Sequence, residues 1–252
     1  RVPASFCGLY GMRPTHGRIP FDGALPQAPT FDTVGALARD AQTFAAVASV
    51  LLGATPLAGS RRRLAVAVDL FEAADAGIAD ALQPAVKRIS EHFSQATSIS
   101  LVPEGLSTWV AHQTALQSRE AWTTFSDWID RVNPRFGYEV AGNFLRNLAD
   151  DNTLAKAAAF RAEMKKRFDE FFADGTVVCL PTTPFVAPLR GQRRSSILEA
   201  RRRVLEFTCI AGMLGAPQVS IPLVSLGEIP LGISLLGAPR SDAALVDLAT
   251  TL

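Results

Sequence analysis

Histidine is the side chain in this sequence that would most readily supply a catalytic base or a metal ligand. The three histidines lie far apart, and none has a catalytic or metal-ligating partner at a recognisable spacing: His16, His92 and His112. We therefore expect neither a Ser-His-Asp triad nor a histidine-bound metal, and no metal site is predicted. The sequence also lacks the G-x-S-x-G turn of serine hydrolases and the glycine-rich loops that bind nucleotides. Hydrolysis by a catalytic histidine and nucleotide-driven chemistry are both disfavoured.

The cysteines indicate a reducing compartment. Cys7, Cys179 and Cys209 are an odd number, lie far apart and form no C-x-x-C pair. Disulfides are typical of oxidising environments, so their expected absence favours a cytoplasmic protein. The opening residues resemble neither a secretory signal nor a transit segment, and the first residue is arginine, so we expect the chain to start inside a longer protein.

Charge and hydropathy exclude two further classes of partner. The 25 basic and 24 acidic side chains give a net charge of +1, which is no electrostatic footprint for nucleic acid. No run approaches the roughly 18 consecutive apolar residues that a membrane span needs. With 48% hydrophobic residues, the composition is that of a soluble globular protein, for which we expect neither a nucleic acid nor a membrane as partner.

Helical and extended patterns alternate along most of the sequence. Five prolines within residues 1–35 predict turns and short strands there. Apolar spacing predicts helices over 40–52, 78–93, 107–129, 153–172, 195–214 and 242–252. Short apolar runs predict strands over 64–68, 99–102, 176–180, 218–221 and 231–236. The strand-helix-strand order within 64–102 implies parallel pairing, and the whole pattern predicts an α/β fold in a single domain of residues 1–252.

Short motifs stand at both ends of the chain. Residues 1–20 read RVPASFCGLYGMRPTHGRIP, followed by APTFDTVG at 28–35 and ARD at 38–40. Near the other end are LPTTP at 180–184, IAGMLGAP at 210–217, SIP at 220–222 and LGISLLG at 231–237. These motifs closely resemble those of the amidase signature family, most specifically over 1–40 and 208–252. The resemblance implies a mixed β-sheet covered by helices on both faces, with the N-terminal part of the fold missing.

The resemblance also implies a chemistry. Members of that family hydrolyse amides with a serine nucleophile, a second serine preceded by a cis peptide bond, and a lysine, without metal or organic cofactor. In the family pattern G-G-S-[IV]-R-[IVF]-P the arginine follows the nucleophile by two residues, and Arg1 matches that arginine. All three catalytic residues are therefore expected upstream of Arg1, and this chain alone is expected to be inactive. Ser5 matches the family's P-A-[SA]-x-C position instead.

Several residues of this chain are expected to support such a site. Arg1 would anchor the catalytic loop, Cys7 would be a small buried packing residue, and Asp32 would stabilise a turn. Three more lie in loops that approach the substrate pocket in the family and are expected to line it: Thr182, Thr183 and Gln218. The expected partner is a small-molecule amide, and a homodimer is compatible with the pattern.

Three other interpretations remain open. The chain could be a non-catalytic relative whose amidase-like scaffold binds a partner protein. It could be an amidotransferase-type subunit, which would pass ammonia to a partner enzyme. It could also be an unrelated α/β binding protein, although the density of motifs over residues 1–40 disfavours this. The motif at 13–19 is most like that of members that cleave simple or arylacetamide-type amides.

Overall fold

The computed structural model describes residues 1–53, 63–137, 140, 141, 144 and 148–252. The strands are β1 (Tyr10–Arg13), β2 (Ala36–Ala38), β3 (Arg63–Ala67), β4 (Gln95–Ile99), β5 (Val177–Pro181), β6 (Gln218–Leu226) and β7 (Ile229–Leu236). The helices are α1 (Val2–Cys7), α2 (Ala41–Leu52), α3 (Val68–Glu72), α4 (Ile78–Ser90), α5 (Leu106–Val132), α6 (Asp151–Phe172), α7 (Arg194–Leu214) and α8 (Asp242–Thr251).

The seven strands form one mixed sheet in the order β2-β1-β6-β7-β5-β3-β4. β3 pairs in parallel with β4 and with β5, and α4 lies between β3 and β4 along the chain, as the strand-helix-strand pattern predicted. The pairs β1–β2, β1–β6, β6–β7 and β5–β7 are antiparallel. The centre of the sheet therefore joins β1, near the start of the chain, to β6 and β7, near its end.

Helices cover both faces of the sheet. On one face α2, α4 and α8 pack on alternate strand residues such as Val219, Ile221, Ile233 and Leu235, which together form an apolar core. On the other face α5, α6 and α7 enclose a second core around Trp109. Alternation along a strand sends neighbouring residues to opposite faces, so β3, β5 and β7 contribute residues to both cores. The α/β fold with a mixed, doubly covered sheet is confirmed.

Local signals account for the ends of α2. The Asp40 carboxylate accepts a hydrogen bond from the backbone N–H of Thr43 at 2.8 Å, which satisfies a donor that the first helical turn leaves free. The helix ends at Gly53, whose φ of 59° is a left-handed conformation that glycine adopts without strain. The predicted helix over 40–52 is thus confirmed together with its cap.

The prediction of a strand at 99–102 was wrong. The strand next to β3 is β4, whose residues are mostly exposed because it forms one edge of the sheet and shows no apolar pattern. Leu101 and Val102 are buried in the second core, and the N–H of Val102 donates to the carboxylate of Asp69 at 2.8 Å rather than to a strand. Their apolar character reflects packing outside the sheet.

Residues 1–35 contain a helix that was not predicted. Pro3 lies in the first turn of α1, where its missing N–H costs nothing because that position has no partner within the helix. The helix ends after six residues at Gly8, with φ 64°. The prolines of this region exclude a long helix, as predicted, but they permit this short one.

Candidate functional site

Arg1 fastens the beginning of α1 to two distant elements. Its Nη1 donates to the backbone oxygen of Thr208 in α7 at 3.0 Å and to Oε1 of Gln218 at the start of β6 at 2.5 Å. Burial, and after it the positive charge of Arg13, lowers the pKa of the Arg1 guanidinium to about 9. The side chain therefore fixes the first residues of the chain through a carbonyl and an amide.

Between α1 and the sheet lies a set of buried hydroxyl groups, one of them from α1 itself. We call it the hydroxyl cluster: Ser5, Thr182, Thr183, Ser220 and Ser234. Thr182 Oγ1 lies 2.9 Å from Ser220 Oγ and 2.7 Å from Ser234 Oγ, which joins β6 and β7 to the end of β5. Ser5 Oγ lies 2.9 Å from Thr183 Oγ1. Each of these hydroxyls thus has a hydrogen-bond partner, as buried polar groups require.

Gly232 in β7 allows α1 to lie directly on the sheet. Its N–H donates to Ser5 Oγ at 3.0 Å. A Cβ at this position would lie 2.9 Å from Ser5 Cβ and 3.0 Å from Ser5 Cα, closer than real side chains permit. The close approach of α1 to β7 therefore depends on glycine at this position.

Ser5 lacks the environment of an activated nucleophile. It is 1% exposed, and its hydroxyl is occupied by Thr183 and by the N–H of Gly232. A catalytic serine needs a base within hydrogen-bond reach and access to substrate. Within the described residues no lysine or histidine is hydrogen-bonded to Ser5. Its position supports the interpretation that Ser5 anchors α1 and performs no chemistry.

The cysteines also lie in unreactive surroundings or outside the site. Burial raises the pKa of the Cys179 thiol to about 12, and burial likewise raises that of Cys209 to about 12. Both therefore remain protonated at neutral pH. Cys7 was expected to be buried, but it is exposed. At 3.6 residues per turn, it lies about 110° around α1 from the direction shared by Ala4 and Ser5, which face the sheet.

Asp32 and the three predicted pocket residues occupy defined positions. The Asp32 carboxylate accepts backbone hydrogen bonds from Gln27 at 2.7 Å and Ala28 at 2.8 Å, so it closes a turn. The residues expected to line a pocket are instead at most 1% exposed and lie under α1: Thr182, Thr183 and Gln218. They point into the interface between α1 and the sheet, because the strand ends that carry them are covered by α1 rather than open to a cavity.

A cavity of about 840 Å³ opens beside α1. Its walls come from Val2 and Phe6 of α1, from α5, from the loop before α7 and from one side of α7. The lining includes Thr208, whose carbonyl binds Arg1. Thr208 therefore both lines the cavity and holds the anchored first residue of the chain. A volume of this size is typical of sites for small organic ligands.

Neither a metal cluster nor a membrane-spanning helix occurs among the described residues. Within residues 1–53, 63–137 and 148–252 no group of three or more histidine, cysteine or acidic side chains could hold a metal ion. In that same part of the chain, no helix combines the length and apolar character needed to cross a membrane.

Ser220, Ser234 and Gly232 were not predicted as site residues from the sequence. A signal for them exists, because each alternates with fully buried apolar residues in a strand. Small polar or absent side chains at alternate positions of a buried strand indicate a face that is not filled by apolar packing. The pairing of these residues with Thr182 depends on the sheet order, which local patterns do not contain.

Known proteins are similar to this chain in sequence. The family model described as Amidase matches residues 1–76 and 61–246. Amidase 1 of Oryza sativa subsp. japonica is 25% identical over 100% of this chain and 65% of its own length. The mitochondrial outer envelope protein 64 of Arabidopsis thaliana is 28% identical over 100% of this chain and 46% of its own length. One subunit of the glutamyl-tRNA(Gln) amidotransferase of Thermus thermophilus is 26% identical over 99% of this chain and 60% of its own length.

Solved structures show the same fold. An amidase crystal structure superposes with a TM-score of 0.83 at 21% identity, covering 99% of this chain and 59% of that one. An allophanate hydrolase of Kluyveromyces lactis gives a TM-score of 0.83 at 20% identity, covering 99% of this chain and 43% of that one. The chain spans about half to two thirds of the length of the curated relatives it matches.

Proposed function

This chain belongs to the amidase signature family, and from that membership we propose that it forms the C-terminal part of an amide hydrolase acting on linear carboxamides. Its catalytic residues would be the family's nucleophilic serine, bridging serine and lysine, all upstream of Arg1. In the family pattern that Arg1 matches, the nucleophile would stand two residues before it.

The contacts of Arg1 are the observation that carries this proposal. The guanidinium ties the start of the chain to Thr208 and Gln218, next to a cavity of about 840 Å³. A nucleophile two residues before an anchored arginine has a restricted position, and catalysis depends on such restriction. The hydroxyl cluster and Gly232 add to it by holding α1 against β6 and β7.

In the proposed reaction the bridging serine, deprotonated by a neutral lysine, removes the proton of the nucleophile. The nucleophile attacks the amide carbonyl, and the tetrahedral intermediate expels ammonia or an amine as its nitrogen takes the proton back from the lysine through the bridging serine. Water then hydrolyses the acyl-enzyme that remains. The residues of this chain would contribute positioning: Arg1 and Ser5 fix the segment that follows the nucleophile, and the cavity receives part of the substrate. We propose the cytoplasm as the compartment, a small-molecule amide as the substrate, and no cofactor.

A non-catalytic scaffold is the second candidate. The similarity to outer envelope protein 64, whose name states a location and no hydrolytic activity, at 28% identity over 100% of this chain, favours it. The similarity to one amidotransferase subunit, with 26% identity, favours a protein that acts together with partner proteins. Both alternatives predict stable association with another protein, whereas an independent amidase needs none.

The test is expression of this chain together with the residues encoded upstream of Arg1, followed by assay against a panel of aliphatic and arylacetic amides. We expect turnover, its loss when the serine two residues before Arg1 is changed to alanine, and an acyl-enzyme mass adduct in the active protein. The 252-residue chain alone should release no ammonia.

Two substitutions within the chain serve as controls. Ser225→Ala alters an exposed hydroxyl of β6 and should leave turnover unchanged. Ser5→Ala should lower stability, with turnover retained in the folded fraction. Complete loss of turnover in a folded Ser5→Ala protein, together with an acyl adduct on Ser5 in the unaltered protein, would make Ser5 the nucleophile. An upstream sequence with no serine at the expected position would favour the scaffold.

A further inference from the structure

The cavity beside α1 is elongated along α7. Eight α7 residues line it, and six of them recur at helical spacing along the middle of that side of the helix: Ile197, Leu198, Arg201, Val204, Leu205 and Thr208. At 1.5 Å per residue, this stripe extends about 16 Å from Thr208 to Ile197. Thr208 marks the end where Arg1 is anchored, and Ile197 marks the end near the first turn of α7.

Between Thr208 and Arg201 the α7 wall is apolar. Val204 and Leu205 precede Thr208 in α7, and Val2 and Phe6 of α1 form the adjacent wall. The rings of Phe6 and Phe185 stack with centroids 6.0 Å apart and planes inclined by 24°. This part of the cavity matches an aliphatic or aromatic group, because it offers apolar surface and few hydrogen-bonding groups.

The charged residues that line the cavity are all basic. Three arginines line it, Arg190, Arg201 and Arg202, and no aspartate or glutamate does so within the described residues. Arg202 is neutralised by ion pairs with Glu199 and Glu206. Arg190 forms no ion pair with any residue that the structure describes. An uncompensated positive charge therefore borders an apolar cavity.

Chain connectivity places Arg190 at one end of the cavity. It precedes the first residue of α7, Arg194, by four positions, so its loop enters at the Ile197 end. The cavity thus presents the anchored Arg1 region at one end, apolar walls in the middle and a cation at the other end. From Thr208 to Arg201, where the charged part begins on α7, the distance along the helix is about 10 Å.

Building on the amide hydrolase function proposed above, we propose that the cavity binds the acyl part of an amide that ends in a carboxylate or similar anion. The scissile amide lies at the Thr208 end, an apolar segment lies along Val204 and Leu205, and the anion faces Arg190. Arg190 is then the residue that distinguishes an anionic amide from a neutral amide of the same length. Arg190 contributes to specificity and takes no part in the chemistry.

The competing occupant is protein. Residues upstream of Arg1 could fill the cavity with their own apolar side chains, and the cation would then face a carboxylate of that segment. The two occupants make opposite predictions. If protein fills the cavity in the longer polypeptide, that polypeptide binds no ligand in the cavity. If the cavity binds substrate, the 252-residue chain and the longer polypeptide bind the same ligand.

Binding to the 252-residue chain tests the proposal without relying on turnover. Suberamic acid carries an amide at one end and a carboxylate at the other, and octanamide is its neutral counterpart. By titration calorimetry at low salt, we expect suberamic acid to bind about fivefold more tightly than octanamide, a ratio typical of an exposed ion pair. The preference should shrink as salt is added.

Substitutions assign the preference to Arg190. Arg190→Ala should abolish it, Arg190→Glu should reverse it, and Arg190→Lys should retain most of it. The matched control is Arg193→Ala, which removes an exposed arginine of the same loop that lines no part of the cavity. Binding of octanamide should be equal in all of these variants. Equal binding of the two ligands by the unaltered chain, or equal losses in Arg190→Ala and Arg193→Ala, would overturn the proposal.

The longer polypeptide separates this proposal from the proposed function. If it hydrolyses amides, Arg190→Ala should raise the KM for suberamic acid about fivefold, with kcat and the KM for octanamide unchanged. Retained binding preference without hydrolysis would contradict the amidase function alone. Binding by the 252-residue chain that disappears in the longer polypeptide would show that protein fills the cavity, and would overturn the substrate proposal.

Discussion

The two faces of β6 and β7 are built on opposite principles, although neighbouring residues supply them. On one face Val219, Ile221, Ile233 and Leu235 pack in an apolar core under α4 and α8. On the other face the same strands present two serines, Ser220 and Ser234, and Gly232, which has no side chain. Helix α1 lies on these residues. The first face is filled by volume, and the second is held by hydrogen bonds and close approach.

This difference separates stability from positioning. Apolar burial stabilises a fold in proportion to area and depends little on exact orientation. Hydrogen bonds add less free energy but require defined distances, and a buried group without its partner is costly. The face that holds α1 and Arg1, next to the cavity, is the one that uses hydrogen bonds. The following substitutions measure the contrast, from the largest expected effect to the smallest.

Truncation on the apolar face should cost the most. Leu235 is fully buried, and Leu235→Ala removes its packing and leaves a cavity, so we expect a loss of about 3 kcal/mol in the free energy of unfolding. Urea denaturation followed by circular dichroism measures it. Leu226→Ala, at a position that is 39% exposed, is the control and should cost well under 1 kcal/mol. Equal losses in the two variants would contradict the importance of this face.

Adding one methyl group to the other face should cost somewhat less. Gly232→Ala forces a contact with the backbone of Ser5, which cannot rotate away, and we expect a loss of about 2 kcal/mol in unfolding free energy. The same denaturation measurement applies. Gly137→Ala meets no neighbouring atom within 4 Å and should not destabilise the protein. An undiminished stability of Gly232→Ala would show that α1 can move away from β7 without cost.

Removing a single hydroxyl should cost about 1 kcal/mol. Ser234→Ala takes away one of the two hydrogen-bond partners of Thr182 Oγ1 and leaves the other, Ser220. Combined with Thr182→Val, the two losses should be less than additive, because both variants remove the same hydrogen bond. A double-mutant cycle by urea denaturation measures the coupling, and full additivity would show that the two hydroxyls contribute independently.

The smallest effect concerns pH. The hydroxyl cluster has no group that ionises near neutrality, so a pH response there must come from elsewhere. His112 of α5 stacks on Phe160 of α6 with centroids 4.3 Å apart, and burial lowers the pKa of its imidazole. The unfolded chain then binds the proton more readily, so stability should be full above about pH 6.5 and fall as the pH drops below that value. His112→Gln should flatten this part of the curve of unfolding free energy against pH, and the exposed His92→Gln is the control.

Sequence patterns predicted those parts of the fold whose cause is local. The cap at Asp40 and the stop at Gly53 are both visible in neighbouring residues, so the bounds of α2 were predicted closely. The edge strand β4 was misplaced because its burial pattern differs from that of a central strand, and the nearby apolar residues pack elsewhere. Local patterns fail where the tertiary environment decides which residues are buried.

The site was predictable to a smaller extent. Asp32 stands in a motif that indicates its contact with a nearby turn, whereas the contacts of Arg1 with Thr208 and Gln218 span more than 200 positions. Thr182 and Thr183 were predicted to line a pocket, and their burial under α1 follows from a sheet order that no local signal encodes. The cavity itself is formed by α1, α5, α7 and a loop, so none of its boundaries could be derived from a single segment.

The pairing of β1 with β6 also has a consequence for folding during translation. Arg1 and Gln218 are 217 positions apart, so the first strand and its neighbour are synthesised at very different times. At ordinary rates of translation, β1 and α1 wait roughly 10 to 40 s for their partner strands. During that interval β1 lacks its partner β6, and α1 lacks the strands on which it packs. Folding of this chain should therefore be slow, because the pairing depends on non-local contacts.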